Sequence, residues 1–128
     1  MPDPNKIALV IGVDAYYHKG LDGKPCLAQL PSCKNDAMDL SNLLKSEKFG
    51  YKIFRDRSII GSELDNKYGF LDVQRAIKNF FNDADLGDIL LFYFSGHGIL
   101  RQDGEVYLAT PQVDPKDPLV EGFPLRFN

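Results

Sequence analysis

Residues 89–98 of the chain read ILLFYFSGHG, and this stretch decides the class of fold. Its first six residues are apolar with no polar alternation, which is typical of a strand buried on both faces. The glycines that follow break the strand abruptly and place His97 on a tight turn. A similar apolar run, IALVIGV, occupies residues 7–13. Two such strands in one short chain predict a parallel sheet that is covered by helices.

Two amphipathic helices are predicted between these strands. The first runs from Cys33 to about Ser46 with Ser32 as its N-cap. The second follows Asp72 as its N-cap, and its apolar residues recur at helical spacing: Val73, Ala76, Ile77, Phe80 and Phe81. The order strand, helix, strand, helix, strand predicts an α/β fold with right-handed crossovers.

The remaining segments are predicted to be short strands and loops. Strands are expected at 51–55 and 105–110, with a loop at 56–71. From residue 111 onward four prolines predict no regular structure.

Length and composition limit the classes of function. The chain has 128 residues, 44% hydrophobic and 26% charged, which suits one globular domain or a part of one. A net charge of −3 leaves no broad basic surface for nucleic acid, and no apolar run is long enough to span a bilayer. The two cysteines, Cys26 and Cys33, have neither redox-motif nor disulfide-framework spacing. We therefore expect a reduced, cytoplasmic protein that binds neither nucleic acid nor a membrane.

His97 is the first candidate for chemistry. In parallel sheets, sites form beyond the carboxyl ends of the strands, and His97 follows such an end. An imidazole is a general base near neutral pH, and the flanking Gly96 and Gly98 allow close approach of a substrate. From its position alone, the histidine could equally serve to bond the backbone at the end of the strand.

The other candidates have simple structural explanations. Asp36 is predicted in the first turn of the first helix, where an acid interacts favourably with the helix dipole. Cys33 opens that helix, which could lower a thiol pKa, yet both Cys33 and Cys26 are more simply read as small packed residues. His18 is expected on the surface. The chain has no phosphate-binding loop, no dinucleotide fingerprint and no zinc-ligand spacing.

Four segments of the chain resemble, in the same order, the large-subunit half of a caspase-like cysteine peptidase domain. This group contains the caspases, metacaspases and paracaspases of peptidase clan CD. The segments are ALVIGVDAY at 8–16, LPSCKNDA at 30–37, FYFSGHG at 92–98, and VYLATP at 106–111 followed by Asp114. The resemblance implies a caspase-like three-layer sandwich with a mainly parallel central sheet between helices. Residues 1–128 would form the N-terminal part of that domain.

The resemblance also implies roles for individual residues. His97 would be the histidine of a Cys-His dyad, and Gly98 would offer its backbone N–H to the oxyanion. Asp36 and Ser95 match residues that line the S1 pocket of metacaspases, which implies a preference for Arg or Lys at P1. The loop at which animal caspases carry an arginine for Asp substrates has none here.

The resemblance places the nucleophile outside this chain. In the family, the cysteine lies at the end of the next core strand in an Asp-x-Cys-x-x-Gly motif, which residues 1–128 do not contain. Neither Cys26 nor Cys33 matches its position. We therefore expect a second polypeptide or a downstream segment to supply the cysteine and the remaining strands, and a protein or peptide to be the substrate.

The residues after His97 bear on whether a cofactor is expected. Many metacaspases use calcium, but the only acidic counterparts just after His97 are Asp103 and Glu105, so no metal or other cofactor is expected. One alternative function is a non-catalytic pseudoprotease or adaptor that uses the fold for assembly. A second is a flavodoxin-like receiver or nucleotide-binding domain, which shares the order of elements but does not require Ser-Gly-His-Gly.

Overall fold

The structure is a computed structural model that describes residues 3–118 and 122–125. The described residues form two α-helices and seven β-strands, in the order β1, α1, β2, β3, α2, β4, β5, β6, β7. The helices are α1 (Ser32–Lys45) and α2 (Gly69–Asn82). The strands are β1 (Lys6–Gly12), β2 (Lys52–Ile53), β3 (Ile59–Ile60), β4 (Ile89–Ser95), β5 (Gly98–Leu100), β6 (Val106–Ala109) and β7 (Gly122–Leu125).

The central sheet is parallel and is built around β1. Strand β4 pairs with β1 along its whole length, from Lys6 opposite Ile89 to Gly12 opposite Ser95. Strands β2 and β3 pair with β1 at different heights, β2 beside its first half and β3 beside its end. Because β4 occupies one edge of β1 completely, β2 and β3 share the other edge. The predicted parallel sheet is confirmed.

The sheet is covered by one helix on each face. Successive side chains of a strand point to opposite faces, and β1 follows this rule. Leu9 and Ile11, both fully buried, pack in one cluster with residues of α2. Ala8 and Val10, equally buried, pack in a second cluster with residues of α1. The chain therefore forms the helix–sheet–helix layers that the sequence predicts.

A second, antiparallel sheet follows the central one in the order β5-β6-β7. The sequence predicted only one strand here, at 105–110, and no regular structure after residue 111. The second part of that prediction is wrong, because β7 pairs with β6 and contains Pro124. Proline is tolerated there because β7 has no strand partner other than β6 among the described residues, so the missing N–H costs no ladder bond. Strand β5, directly after His97, was also missed.

The strand predicted at 51–55 is shorter than expected. Only Lys52–Ile53 is extended, and a 3-10 turn over Phe54–Asp56 ends it. Within that turn Arg55 and Asp56 have φ angles of 64° and 66°, which are incompatible with a strand. The loop predicted at 56–71 is wrong in part, since it contains β3.

The starts of both helices also differ from the prediction. Helix α1 begins at Ser32, so Pro31 takes the cap position that was assigned to Ser32. Helix α2 begins at Gly69, and Asp72 lies in its first turn rather than at its cap. The apolar stripe that predicted α2 is correct, because helical spacing fixes the buried face better than it fixes the ends.

Strand β4 is only half-buried, although its sequence predicts burial on both faces. Among residues 3–118 and 122–125, β4 has no strand partner except β1, so its second edge is unpaired. Apolar side chains on or against β4 are partly exposed: Ile89 at 42%, and Phe81, whose ring lies 6.2 Å from that of Phe92, at 52%. An unpaired apolar strand edge is a surface that pairs readily with another strand.

We expect residues 1–128 alone to self-associate through the β4 edge. The substitution Ile89→Lys places a charge on the exposed start of that strand, and charged side chains at an edge oppose edge-to-edge pairing. The average mass measured by light scattering as the concentration rises should therefore be clearly lower for this variant than for the unchanged chain.

Leu86→Lys is the matched control, because it adds the same charge at a fully exposed position three residues before the strand. It should leave self-association nearly unchanged. Equal suppression by both variants would mean that net charge, and not the strand edge, governs the association.

Candidate functional site

The site lies at the carboxyl ends of β1 and β4, which end side by side. Gly12 is opposite Ser95, and the N–H of Val13 continues the pairing by donating to the Ser95 carbonyl at 2.8 Å. The chain then turns through Gly96, so His97 is fixed at the rim of the sheet. This is the location that the order of elements predicted for a functional histidine.

His97 is held by contacts on its backbone and on its ring. The N–H of Ala109 donates to the His97 carbonyl at 2.9 Å, and the His97 N–H donates to the Tyr16 hydroxyl at 2.8 Å. Its Nε2 lies 2.9 Å from the Ala28 carbonyl oxygen. The Tyr16 ring contacts the imidazole edge to face, with centroids 4.8 Å apart. Both the position and the plane of the ring are therefore fixed.

The contact with Ala28 determines which nitrogen of His97 carries the proton. A carbonyl oxygen only accepts hydrogen bonds, so Nε2 must be the donor. In a neutral imidazole the lone pair then lies on Nδ1. Within residues 3–118 and 122–125, Nδ1 has no hydrogen-bond partner. The histidine thus offers a free basic nitrogen at the rim.

The register of the antiparallel sheet determines where the N–H of Gly98 points. The bond from Ala109 to His97 makes those two residues a hydrogen-bonded pair, and pairs alternate along an antiparallel ladder. Gly98, opposite Leu108, therefore belongs to a non-bonded pair whose N–H points away from β6. Within the part of the chain that the structure describes, β5 has no strand on its other edge, so that N–H faces outward.

Ser95 contacts a residue to which the sequence analysis gave only a packing role. Its hydroxyl donates to the Sγ of Cys33 at 3.1 Å, and Cys33 is buried at the start of α1. Two features of the sequence are related to this contact. The helix α1 is predicted to begin at the rim of the sheet, and Cys33 precedes Asp36 by one helical turn. The contact places Ser95 one turn away from Asp36.

Asp36 is exposed and lies farther along α1 than predicted. Since α1 begins at Ser32, Asp36 is the fifth residue of the helix, and the first turn contains no acid. The expected interaction with the helix dipole is correspondingly weaker, because the effect fades beyond the first turn. In the described part of the chain the Asp36 carboxylate has no hydrogen bond and no ion pair. Its carboxylate is therefore available.

Gly12 explains how α1 comes so close to the end of β1. A Cβ on Gly12 would overlap the carbonyl oxygen of Cys33 and lie 2.8 Å from the Cβ of Ala37. Only a glycine allows this approach of backbone to backbone. The approach brings Cys33 within reach of Ser95, which stands opposite Gly12 on β4.

Among the described residues, none of the remaining candidates makes a hydrogen bond to His97, and several are engaged elsewhere. Cys26 is an exposed free thiol, and His18 lies 3.6 Å from Asp114. One oxygen of Asp103 accepts from Arg101 and the other from the Glu105 N–H. Among the residues that the structure describes, no three His, Cys, Asp or Glu side chains are grouped to hold a metal.

The fold and the site together define a class of protein: a three-layer α/β domain with a histidine turn at the carboxyl rim of its parallel sheet. A model of the caspase domain family, peptidase family C14, matches residues 5–126. The chain belongs to the caspase domain family, and the family function is that of a cysteine peptidase, a hydrolase. This membership sets aside the flavodoxin-like alternative.

A search of curated protein sequences gave no significant match. Over residues 3–118 and 122–125, no helix has the length and apolar character needed to cross a membrane.

Gly12→Ala should destabilise the protein, because the new methyl group meets the backbone of Cys33 and not a flexible side chain. Overpacking of this kind costs about 1–3 kcal/mol. We expect a fall in melting temperature of about 5 °C or more, measured by scanning fluorimetry on dilute protein.

Gly20→Ala is the control, since the nearest atoms to its Cβ would lie at an ordinary 3.5 Å. Its melting temperature should stay close to that of the unchanged protein. Two equal falls would show that the tight approach of α1 to β1 is not the cause.

Proposed function

We propose that this chain supplies the histidine, the oxyanion donor and part of the S1 pocket of a cysteine endopeptidase that cleaves after Arg or Lys. The observation that supports this proposal most directly is the hydrogen bonding of the His97 ring. Nε2 bonds to the Ala28 carbonyl, and Nδ1 has no hydrogen-bond partner among the described residues. Family membership supports the class of reaction.

In the proposed reaction, His97 takes a proton from one reacting group and passes it to another. A cysteine thiol gives its proton to Nδ1, and the thiolate attacks the peptide carbonyl carbon. The C–S bond forms as the carbonyl π pair moves to oxygen, and the N–H of Gly98 donates to this oxyanion. The electron pair on the oxyanion then re-forms the carbonyl, the C–N bond breaks, and the leaving amine takes the proton from Nδ1. Water then gives a proton to Nδ1 as its oxygen attacks the acyl carbon. The C–S bond breaks, and the cysteine sulfur takes the proton back from Nδ1.

Neither cysteine of the chain is placed to be that nucleophile. Cys33 is buried and accepts the Ser95 hydroxyl, and Cys26 is fixed in its loop by a backbone bond to His18. Neither thiol bonds to the His97 ring among the described residues. We therefore propose that a second polypeptide or a further segment brings the nucleophile.

The unpaired edge of β4 supports this proposal. A parallel strand added there would end at the same rim as β4, next to the turn that carries His97. The added strand would also cover the half-exposed apolar side chains of β4. One strand would thus complete the sheet and deliver a residue beside Nδ1.

The proposed preference for a basic P1 residue rests on Asp36 and Ser95. The Asp36 carboxylate is exposed and unpaired within the described residues, one turn from Cys33, against which Ser95 is bonded. A carboxylate pairs with a guanidinium through two charge-assisted hydrogen bonds, and with an ammonium as a point charge. An acidic P1 side chain would be repelled there.

We also propose that the enzyme works in a reducing compartment such as the cytoplasm. Both cysteines are free, and the thiol of Cys26 is exposed. An exposed free thiol persists where thiols are kept reduced.

His97→Ala should abolish peptidase activity in the assembled enzyme, with a loss in kcat of about a thousandfold or more. His18→Ala is the matched control at the only other histidine of the chain. It should leave kcat unchanged, as should Cys26→Ala.

The assay is cleavage of a fluorogenic Arg peptide, with folding checked by circular dichroism. Full activity of a folded His97→Ala enzyme would overturn the dyad proposal. An assembled protein that binds basic peptides without cleaving them would instead support the adaptor function.

Asp36→Asn should lower kcat/KM for Arg and Lys peptides by about 10- to 100-fold, the effect of losing one charged hydrogen-bond partner. Asp39→Asn removes the same charge from another exposed position of α1 and should have little effect. Activity is measured on matched Arg, Lys and Asp peptides. Preference of the unchanged enzyme for the Asp peptide would contradict the S1 assignment.

A further inference from the structure

The Tyr16 hydroxyl is a buried polar group that the proposed reaction does not use. Tyr16 follows β1 and is 1% exposed. Burial raises the pKa of its phenol well above the ordinary value near 10, against the smaller opposite effect of the hydrogen bond from His97. The hydroxyl therefore stays protonated and can donate one hydrogen bond while it accepts another.

The Tyr16 hydroxyl makes both of these hydrogen bonds, and they link the backbone of His97 to the backbone of Ala109. The hydroxyl accepts from the N–H of His97 at 2.8 Å and donates to the carbonyl of Ala109 at 3.2 Å. His97 and Ala109 are themselves joined directly by a single bond, from the Ala109 N–H to the His97 carbonyl at 2.9 Å.

The register of β5 and β6 shows what the hydroxyl replaces. Gly98 is opposite Leu108, so the next step of the ladder places His97 opposite Ala109. Two residues in such a hydrogen-bonded pair normally exchange two direct N–H···O bonds. Here the second bond, from His97 to Ala109, is interrupted by the Tyr16 hydroxyl. A phenol oxygen is thus inserted as one rung of the ladder.

We propose that Tyr16 is a positioning residue for His97. Its inserted hydroxyl holds the His97 backbone away from β6 at the distance where Nε2 reaches the Ala28 carbonyl, and its ring sets the plane of the imidazole. Tyr16 thereby keeps the proton on Nε2 and the lone pair on Nδ1. The consequence for catalysis rests on the proposed function; the positioning itself does not.

Two further contacts fit this role. Gln29 fixes the backbone of Tyr16 from both sides, accepting from its N–H at 3.0 Å and donating to its carbonyl at 2.7 Å. Gln29 directly follows Ala28, so the same loop holds both contacts of the imidazole. A Cβ on Gly96 would lie 2.7 Å from the Tyr16 hydroxyl, so the turn before His97 must be a glycine.

The test is Tyr16→Phe, which removes the hydroxyl and keeps the ring. The N–H of His97 should then bond directly to the Ala109 carbonyl, which draws His97 toward β6 and weakens its bond to Ala28. Imidazole nitrogen NMR of the assembled protein, at about pH 9 where histidine is ordinarily neutral, should change from one dominant Nε2–H tautomer to a mixture. For an Arg peptide, kcat should fall about 10- to 100-fold with KM unchanged.

Tyr17→Phe is the control, because Tyr17 is exposed and its hydroxyl makes no hydrogen bond to any described residue. Gln29→Leu is the second variant in case Tyr16→Phe folds poorly. It leaves the Tyr16 hydroxyl in place, removes the two bonds that hold its backbone, and should shift the tautomer in the same direction.

The outcomes separate the two proposals. An unchanged tautomer and kcat in a folded Tyr16→Phe protein, or an unchanged tautomer in Gln29→Leu, would overturn the positioning role and leave the peptidase proposal standing. A shifted tautomer in a protein that cleaves no peptide would support the positioning role and overturn the peptidase proposal. A tautomer shift with Tyr17→Phe as well would contradict the role of the inserted hydroxyl.

Discussion

The seven-residue pairing of β1 with β4 is the interaction on which the rest of the structure depends. It fixes which face of β1 each helix covers, because side chains alternate along a paired strand. It also sets Gly12 opposite Ser95, which aligns the start of α1 with the end of β4. A shift of one residue in this register would exchange the β4 side chains that face α2 with those that face α1, and would move His97 away from Tyr16.

The parts of the fold that follow from hydrophobic pattern were predictable from the sequence. The doubly buried strand β1 and the stripe of α2 both come from the spacing of apolar residues, which reflects burial, whereas β4 has the same pattern and is only half-buried. Strand β3 has only two residues, too short for a pattern to show. The turn at Arg55 and the strand around Pro124 depend on backbone dihedrals and on a neighbouring strand, which a residue's own identity does not encode.

The candidate site divides in the same way. His97, Ser95 and Asp36 were found because their residue types and neighbours form motifs in the sequence. The Ala28 carbonyl was not predictable, since a backbone oxygen has no sequence signature. Tyr16 was visible as a residue, but its insertion into the ladder depends on a pairing that joins distant parts of the chain. The roles of side chains are therefore easier to predict than the backbone contacts that orient them.

The same pairing of β1 and β4 has a consequence for how the protein folds. The paired residues are separated by about eighty positions along the chain. Contacts of such long sequence separation are slow to form, because the entropy of closing the loop must be lost before the pairing repays it. During synthesis, the edge of β1 that pairs with β4 stays unpaired until β4, about eighty residues later, leaves the ribosome. The order of synthesis therefore makes β1 a segment that chaperones would bind. In the completed sheet, β4 is then the strand whose edge is left to be covered.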